Sequence, residues 1–312
     1  MTVKGQSRTS IGYLVQQFPP EVGAGPARVG EMAVRWCDRG AEVTVVTAMP
    51  NRPQGRIYPE YRGRAFVDER WEGIRVLRSW LYARPNAGFA RTLLNNVSFM
   101  LSSAWHGVVR LDGVDVLIAS SPPFFPHLTG ACIARIKHIP LILEIRDLWP
   151  DYLVDMGVVS GAAARALFAL ERWVLSQASR VVVVTEAFAR RVVEKGVPSG
   201  KIEVLPNAVD TQQYFCDATG PPIPELERAD GEYLVGYLGH FGRGQALETV
   251  VAAAEILADS DPDVRFVLVG DGPERKKIWD RIRATSGARV SLHPSIPKES
   301  MNRPGISGDS IM

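Results

Sequence analysis

The feature that most restricts this chain is the regular alternation of short Val/Ile/Leu runs with longer stretches of helical periodicity. IGYLVQQF (11–18) passes through a glycine-rich turn into a helical stretch that ends near Gly40, and AEVTVVTA (41–48) follows. Strand, helix and strand thus fit within about 40 residues, the length of one βαβ unit. The pattern then recurs. DVLIASSPP (115–123), a helix through Arg135, PLILEIRDLWP (140–150), a helix over 162–178, RVVVVTE (180–186), a helix through Lys195 and KIEVLPNAVD (201–210) follow in order. Strands that are apolar almost throughout and separated by helices predict a parallel sheet covered on both faces.

A second unit of the same kind opens after the proline-rich stretch DATGPPIPELERADGE (217–232), which reads as a linker. EYLVGYLGHFGRGQALETVVAAAEILAD gives strand, glycine loop and helix; DVRFVLVGDGPERKKIWDRIRA gives strand, turn and helix; RVSLHPSIPKE gives a third strand. The expectation is an α/β chain of two Rossmann-like domains: residues 1–216, the linker 217–232, and a partial second domain at 233–300. Such a domain generally holds about five or six strands, and three are visible, so the second one reads as incomplete. Residues 301–312 read as an aberrant tail, because Pro304 and Gly305 oppose the helix that should be running there.

Composition narrows the class. With 46% hydrophobic and 22% charged residues, the 312-residue chain is expected to be an ordinary globular protein. Cys37, Cys132 and Cys216 are widely spaced with no CxxC pair, which points to a reducing compartment and away from structural zinc. MTVKGQSRTS lacks the apolar core of a signal peptide, so the reading is cytoplasmic. Residues 1–110 hold fifteen Lys and Arg against eight Asp and Glu. That basic third suits either a solvated surface or an anionic membrane or phosphorylated ligand. Within it, Phe89–Leu111 has the apolar stripe Leu93, Val97, Met100, Leu101, Ala104, Trp105 and Val108. Its polar interruptions argue against a membrane span, and internal packing is the more common fate of such a stripe than an interfacial position.

The loops after the strands are where a sheet of this type binds ligands. In EVGAGPARVG (21–30), Gly23 and Gly25 match the start of GxGxxG, but Arg28 occupies the third glycine position, which weakens a hydride-transfer reading. What remains is backbone N–H groups approaching an anion at a helix start, with a bare tight turn as the alternative. GHFGRGQ (239–245) adds three glycines and Arg243, a forked cation suited to a diphosphate. GDGPE (270–274) closes the next strand. The two loops together suggest one phosphorylated ligand in an interdomain cleft. EIRDLWPD (144–151) places Glu144, Arg146 and Asp147 at a strand end, where a carboxylate serves as a base or orients a sugar hydroxyl. An Arg146–carboxylate salt bridge that only pins the loop is the alternative.

FPPEVGAGPAR, NRPQGRIYPEYRG, ASSPP, RDLWPD, VLPNAVD, the GxxGRxQ loop and LVGDGPE, in this order over Ile11 to Glu299, resemble family 4 of the retaining nucleotide-sugar glycosyltransferases. The branch most resembled acts in bacterial surface-polysaccharide synthesis and includes N-acetylfucosamine and related amino-sugar transferases. The resemblance implies a GT-B fold, an acceptor-binding first domain, a donor-binding second domain, and no metal or other cofactor. It implies catalytic roles for Asp147, near the transferred sugar, and Arg243, at the leaving phosphates. Gly23, Gly25, Gly239, Gln245, Asp271 and Gly272 become donor-binding positions, and Glu21, Arg146 and Glu186 acceptor or loop positions. The partners implied are a UDP-, GDP- or similar nucleotide sugar, a polyprenyl-diphosphate-linked or saccharide acceptor and the inner membrane face, with no nucleic acid. His240 and Gln245 stand where many members carry Arg and Lys. Family members continue for roughly another hundred residues after VSLHPSIPKE, so a truncated remnant that keeps only acceptor or membrane binding is the alternative function. An epimerase-like reading is disfavoured by Arg28 and by the lack of a Tyr-x-x-x-Lys pair.

Overall fold

The computed structural model describes residues 8–85, 88–208, 227, 229–285 and 287–296. Most of 217–232, all of 301–312 and Cys216 lie outside the described residues. The chain divides into two compact units, Met1–Asn207 and Ala208–Met312.

The first unit runs β1 (Ser10–Leu14), α1 (Ala24–Asp38), β2 (Glu42–Ala48), β3 (Phe66–Trp71), β4 (Ile74–Ser79), α2 (Phe89–Arg110), β5 (Val116–Ser121), α3 (Phe125–Lys137), β6 (Leu141–Ile145), α4 (Trp149–Asp155), α5 (Gly161–Gln177), β7 (Arg180–Val183), α6 (Glu186–Glu194) and β8 (Ile202–Val204). Its sheet has the order β3-β4-β2-β1-β5-β6-β7-β8. Every neighbouring pair is parallel except β3 on β4. The predicted parallel sheet is therefore present, with one antiparallel edge strand added.

That edge hairpin is absent from the sequence reading for a physical reason. Its strands, FVDERW and IRVLRS, carry Asp68, Glu69, Arg70, Arg75 and Arg78, so no continuous apolar run announces them. The charges pair across the ladder instead: Arg75 meets Asp68 at 2.7 Å and Arg78 meets Glu69 at 2.5 Å. The turn is Glu72-Gly73, both at positive φ (47° and 79°), the backbone that matches the twist of a two-residue hairpin.

Successive strand residues divide between two cores. Tyr13, Val15, Val43, Val45, Ile74 and Val76 pack with Val29 and Ala33 of α1. Leu14, Val46, Leu77, Leu117 and Leu143 pack on the other face with residues of α2, α3, α5 and α6, among them Phe99, Ile133, Val174 and Val192. Each fully buried Val or Leu contributes roughly 1.5–3 kcal/mol. Helix α2 departs from expectation. Its stripe packs inward only in part: Val108 lies against the core and Val97, Met100 and Ala104 are half-buried, whereas Leu101 is 62% and Trp105 68% exposed, and Asn96, Phe99, Ser103 and Gly107 are buried.

The second unit runs β9 (Tyr233–His240), α7 (Glu248–Ser260), β10 (Val264–Asp271), α8 (Arg275–Ala284) and β11 (Val290–His293). Its three described strands form a parallel sheet in the order β11-β10-β9. Leu268, Phe241, Val251 and Ile278 make one core with α7 and α8, and Leu234, Val267 and Val269 make another on the opposite face.

Candidate active site

In the first unit, β1 lies between β2 and β5, so successive connections leave it in opposite directions along the sheet. Ligand crevices form at the carboxyl ends of strands at such a switch point. The glycine-rich loop stands there. Gly23 is the N-cap of α1 at φ 147°, a backbone that L side chains rarely adopt. Gly25 is less constrained, since an added Cβ would meet only Gln17 Oε1 at an ordinary 3.6 Å. Gly23 brings no capping side chain and the first turn holds no acid, so its N–H groups are open to an anion.

One turn into α1, Arg28 occupies the position where the dinucleotide pattern has its third glycine, and the structure shows what it does there. Its Nη2 meets Glu144 Oε1 at 2.7 Å, and its Nε donates to Asn207 Oδ1 at 3.1 Å. Tyr13 Oη donates to Glu144 Oε2 at 3.1 Å, so both carboxylate oxygens are occupied. Burial alone would raise the Glu144 carboxyl. The hydrogen bond and charge of Arg28, with Ser120 and Arg146, outweigh it and hold the group below the usual carboxylate range. Burial and the neighbouring Glu144 charge push Tyr13 well above the tyrosine range, so it remains a neutral donor.

Arg146 takes no part in that pair. Its Nε donates to Ser120 Oγ at 3.1 Å and to Ser121 O at 2.9 Å, which fastens the end of β6 to the end of β5. The salt bridge anticipated at this strand end thus has Glu144 as its acid and Arg28, from another element, as its base. Asp147 is the next residue and is exposed. Partial desolvation raises its carboxyl, offset in part by the Arg146 charge. A small cavity lined by Asp147, His127 and Trp149 has about 10 Å³ of water-sized space, room for one water at most. His127 Nε2 lies 3.1 Å from the Glu144 carbonyl and therefore carries the proton. Burial lowers this imidazole to about 4, so it is neutral near pH 7.

Glu21 is buried rather than presented to solvent. Its Oε1 accepts the N–H groups of Asn51 at 2.9 Å and Arg52 at 2.8 Å, bracing the loop after β1 against the loop after β2. Burial raises its carboxyl despite those bonds. Glu186 is exposed in the first turn of α6, beyond β7, behind an N-cap Thr185 that accepts the Phe188 N–H at 3.2 Å. An acid there complements the helix dipole.

In the second unit, the loops after β9 and β10 hold each other. Gly239 pairs with Gly270 in the ladder; Phe241 N donates to Asp271 O at 2.9 Å, and Glu274 N to Phe241 O at 3.0 Å. A Cβ on Gly270 would stand 1.8 Å from Gly239 O, and one on Gly272 would stand 2.4 Å from Phe241 O. Asp271 Oδ1 accepts the N–H of Gly272 at 2.8 Å and shapes that turn. Arg243 and Gln245 bound an exposed 3₁₀ turn, with Gln245 Oε1 folded over Gly242. Arg275, which the sequence reading passed over, donates to Gly270 O at 2.6 Å and His293 O at 3.1 Å. Tyr13 and Asn207 carry no local signal in the sequence, because their partners Glu144 and Arg28 lie far along the chain.

Comparison with known proteins places these residues in context. The family described as "Glycosyl transferase 4-like domain" matches residues 23–208. WcaI of Escherichia coli (strain K12), whose name assigns it to colanic acid biosynthesis as a glycosyl transferase, is 27% identical over 270 residues. That match covers 84% of this chain and 65% of WcaI, so the chain spans less than two thirds of that relative's length. The 2-deoxystreptamine glucosyltransferase of Streptomyces kanamyceticus is 27% identical over 154 residues, 47% of this chain and 39% of its own. Among solved structures, sucrose-phosphate synthase from Thermosynechococcus elongatus superposes with a TM-score of 0.66 at 17% identity, over 95% of this chain and 72% of that one. Anabaena HepE in complex with UDP and glucose gives 0.59 at 16% identity, over 94% and 70%. These likenesses establish the GT-B type of fold.

Proposed function

The chain belongs to the glycosyl transferase 4-like family, and from that premise we propose that it serves sugar transfer, with retention, from a nucleoside-diphosphate sugar to a polyprenyl-diphosphate-linked or saccharide acceptor. Surface-polysaccharide synthesis on the cytoplasmic face of the membrane, in the amino-sugar branch, is the setting proposed. The names of relatives support it: WcaI is assigned to colanic acid biosynthesis, WaaB is a lipopolysaccharide outer core galactosyltransferase, and HepE holds UDP-glucose.

The observation that carries the reading is the uncapped, acid-free start of α1 at Gly23, set at a switch point where the Arg28–Glu144 pair and Asp147 also stand. In this account the first unit supplies open N–H groups at Gly23 and Gly25 and the Asp147 carboxylate beside the transferred sugar. Arg146 and Glu144 support that strand end without touching substrate. The second unit supplies Arg243 for the leaving diphosphate, with Gly239, Gln245, Asp271 and Gly272 shaping the loops. Fixed cations and backbone dipoles stabilise charge that develops on a leaving phosphate, so the account assigns no metal to that task.

Titration of UDP, GDP and their sugars into the purified chain tests the donor assignment. Arg243→Ala is expected to weaken binding about 10- to 100-fold, the loss of one charge-assisted contact of about 1.5–3 kcal/mol. Unchanged affinity would remove Arg243 from the site.

A further inference from the structure

Helix α2 packs on the core through Phe99 but presents a second apolar stripe to solvent. On a helical projection Leu94, Leu101, Trp105 and Val109 share one face, and Asn96, Phe99, Ser103 and Gly107 share the opposite one. The first set is exposed and the second buried. Each inward residue has a reason to be there. Asn96 Oδ1 accepts Gln16 Nε2–H at 3.0 Å, Ser103 Oγ donates to Phe99 O at 2.6 Å, and Gly107 leaves the space that Ile133 Cδ1 of α3 fills, 2.3 Å from where a Cβ would stand. The helix docks through Phe99 and these small and amide side chains, and turns Leu94, Leu101, Trp105 and Val109 outward. Trp80, 42% exposed, adjoins this helix: its carbonyl accepts Ser102 Oγ–H at 2.5 Å.

The charges of the segment that carries this face have one sign. Residues 73–111 contain five arginines and no Asp or Glu. Arg75 and Arg78 are engaged by Asp68 and Glu69 of the hairpin, whereas Arg84, Arg91 and Arg110 are exposed and have no carboxylate partner among the described residues. Arg91 and Arg110 stand at opposite ends of α2. Among the described residues no helix is long and apolar enough to cross a membrane. Arg84 and Arg110 lie over the rings of Tyr82 and Phe66, so their charge is not neutralised. An apolar stripe with a tryptophan, bounded by arginines without carboxylate partners, is the pattern of a helix lying in the plane of an anionic bilayer surface. A second copy fits poorly, since antiparallel pairing of two such faces would set Arg91 against Arg110.

We propose that the outer face of α2, with Trp80, is a docking surface for an anionic lipid bilayer, entered by Leu94, Leu101 and Trp105 and steered by Arg84, Arg91 and Arg110. The proposal sharpens the membrane-side setting suggested above but does not need the chain to transfer sugar, so the two stand or fall separately.

Co-sedimentation of the full chain with phosphatidylcholine vesicles, with and without phosphatidylglycerol, tests it. Binding is expected to the phosphatidylglycerol vesicles, to weaken at high salt, and to fall at least about tenfold in the double variant Leu94→Ser/Leu101→Ser. Val193→Ser, on the exposed side of α6, is expected to bind like the parent. Both leucines are surface residues, and an unchanged far-ultraviolet spectrum checks that the fold is kept. Failure to sediment with either vesicle, or equal binding by the double variant, would overturn the proposal. So would a dimer in sedimentation analysis that the double variant abolishes, which would give the face to a second copy.

Discussion

The guanidinium of Arg28 and the carboxylate of Glu144 meet at 2.7 Å, joining the first helix to the end of β6 across 116 residues of sequence. The Glu144 side chain is 4% exposed and that of Arg28 20%. Removing one partner of a buried pair costs about 3–5 kcal/mol because the other charge stays buried. Arg28→Ala, with its partial exposure, is expected near 3 kcal/mol in urea unfolding. Arg28→Ala/Glu144→Gln should recover part of that loss, and strict additivity would show that the pair is not coupled.

The same pair predicts how stability responds to pH. Glu144 is held below the usual carboxylate range in the folded chain, so its contribution is present above the ordinary Glu value of about 4.3 and is lost as pH falls through the folded value. Burial is the largest influence on this group and Arg28 supplies the strongest opposing ones, so without Arg28 the carboxyl moves upward. The stability deficit of Arg28→Ala should be small in acid, where Glu144 is protonated, and grow as pH rises through and above the carboxylate range. Urea midpoints measured across that range check this, and a deficit independent of pH would contradict it.

Gly270→Ala is expected to destabilise the second unit by more than 2 kcal/mol. A Cβ there would lie 1.8 Å from Gly239 O, and φ is 153°, so strain and overlap add. Gly40→Ala makes a graded control, since Gly40 has positive φ (89°) with nothing within 4 Å of the added carbon and pays conformational strain alone. Equal losses at the two positions would mean that the contact between the β9 and β10 loops is looser than described.

How far the sequence carries depends on the range of the interactions. The runs that became β1, β2, β5, β6 and β7 are legible because strands buried on both faces are apolar residue after residue. The β3–β4 hairpin is not, because its charges neutralise one another across the ladder, a fact visible only once the strands are paired. Helix α2 has the length its periodicity predicts, Phe89–Arg110, but its orientation depends on Gln16 and Ile133, which no local pattern indicates. At the candidate site, Gly23 is readable because only glycine suits its backbone. Arg28 draws notice only by breaking a motif, and its partnership with Glu144 and Asn207 needs the fold.

The measurement that bears most directly on the central claim is turnover of UDP- and GDP-sugars by the purified chain, with the anomeric configuration of the product read by NMR. The account predicts a product that keeps the donor's configuration. It also predicts a rate that falls about 10²- to 10⁴-fold in Asp147→Asn, while nucleotide binding persists. An inverted product, or full turnover without the Asp147 carboxylate, would contradict the account.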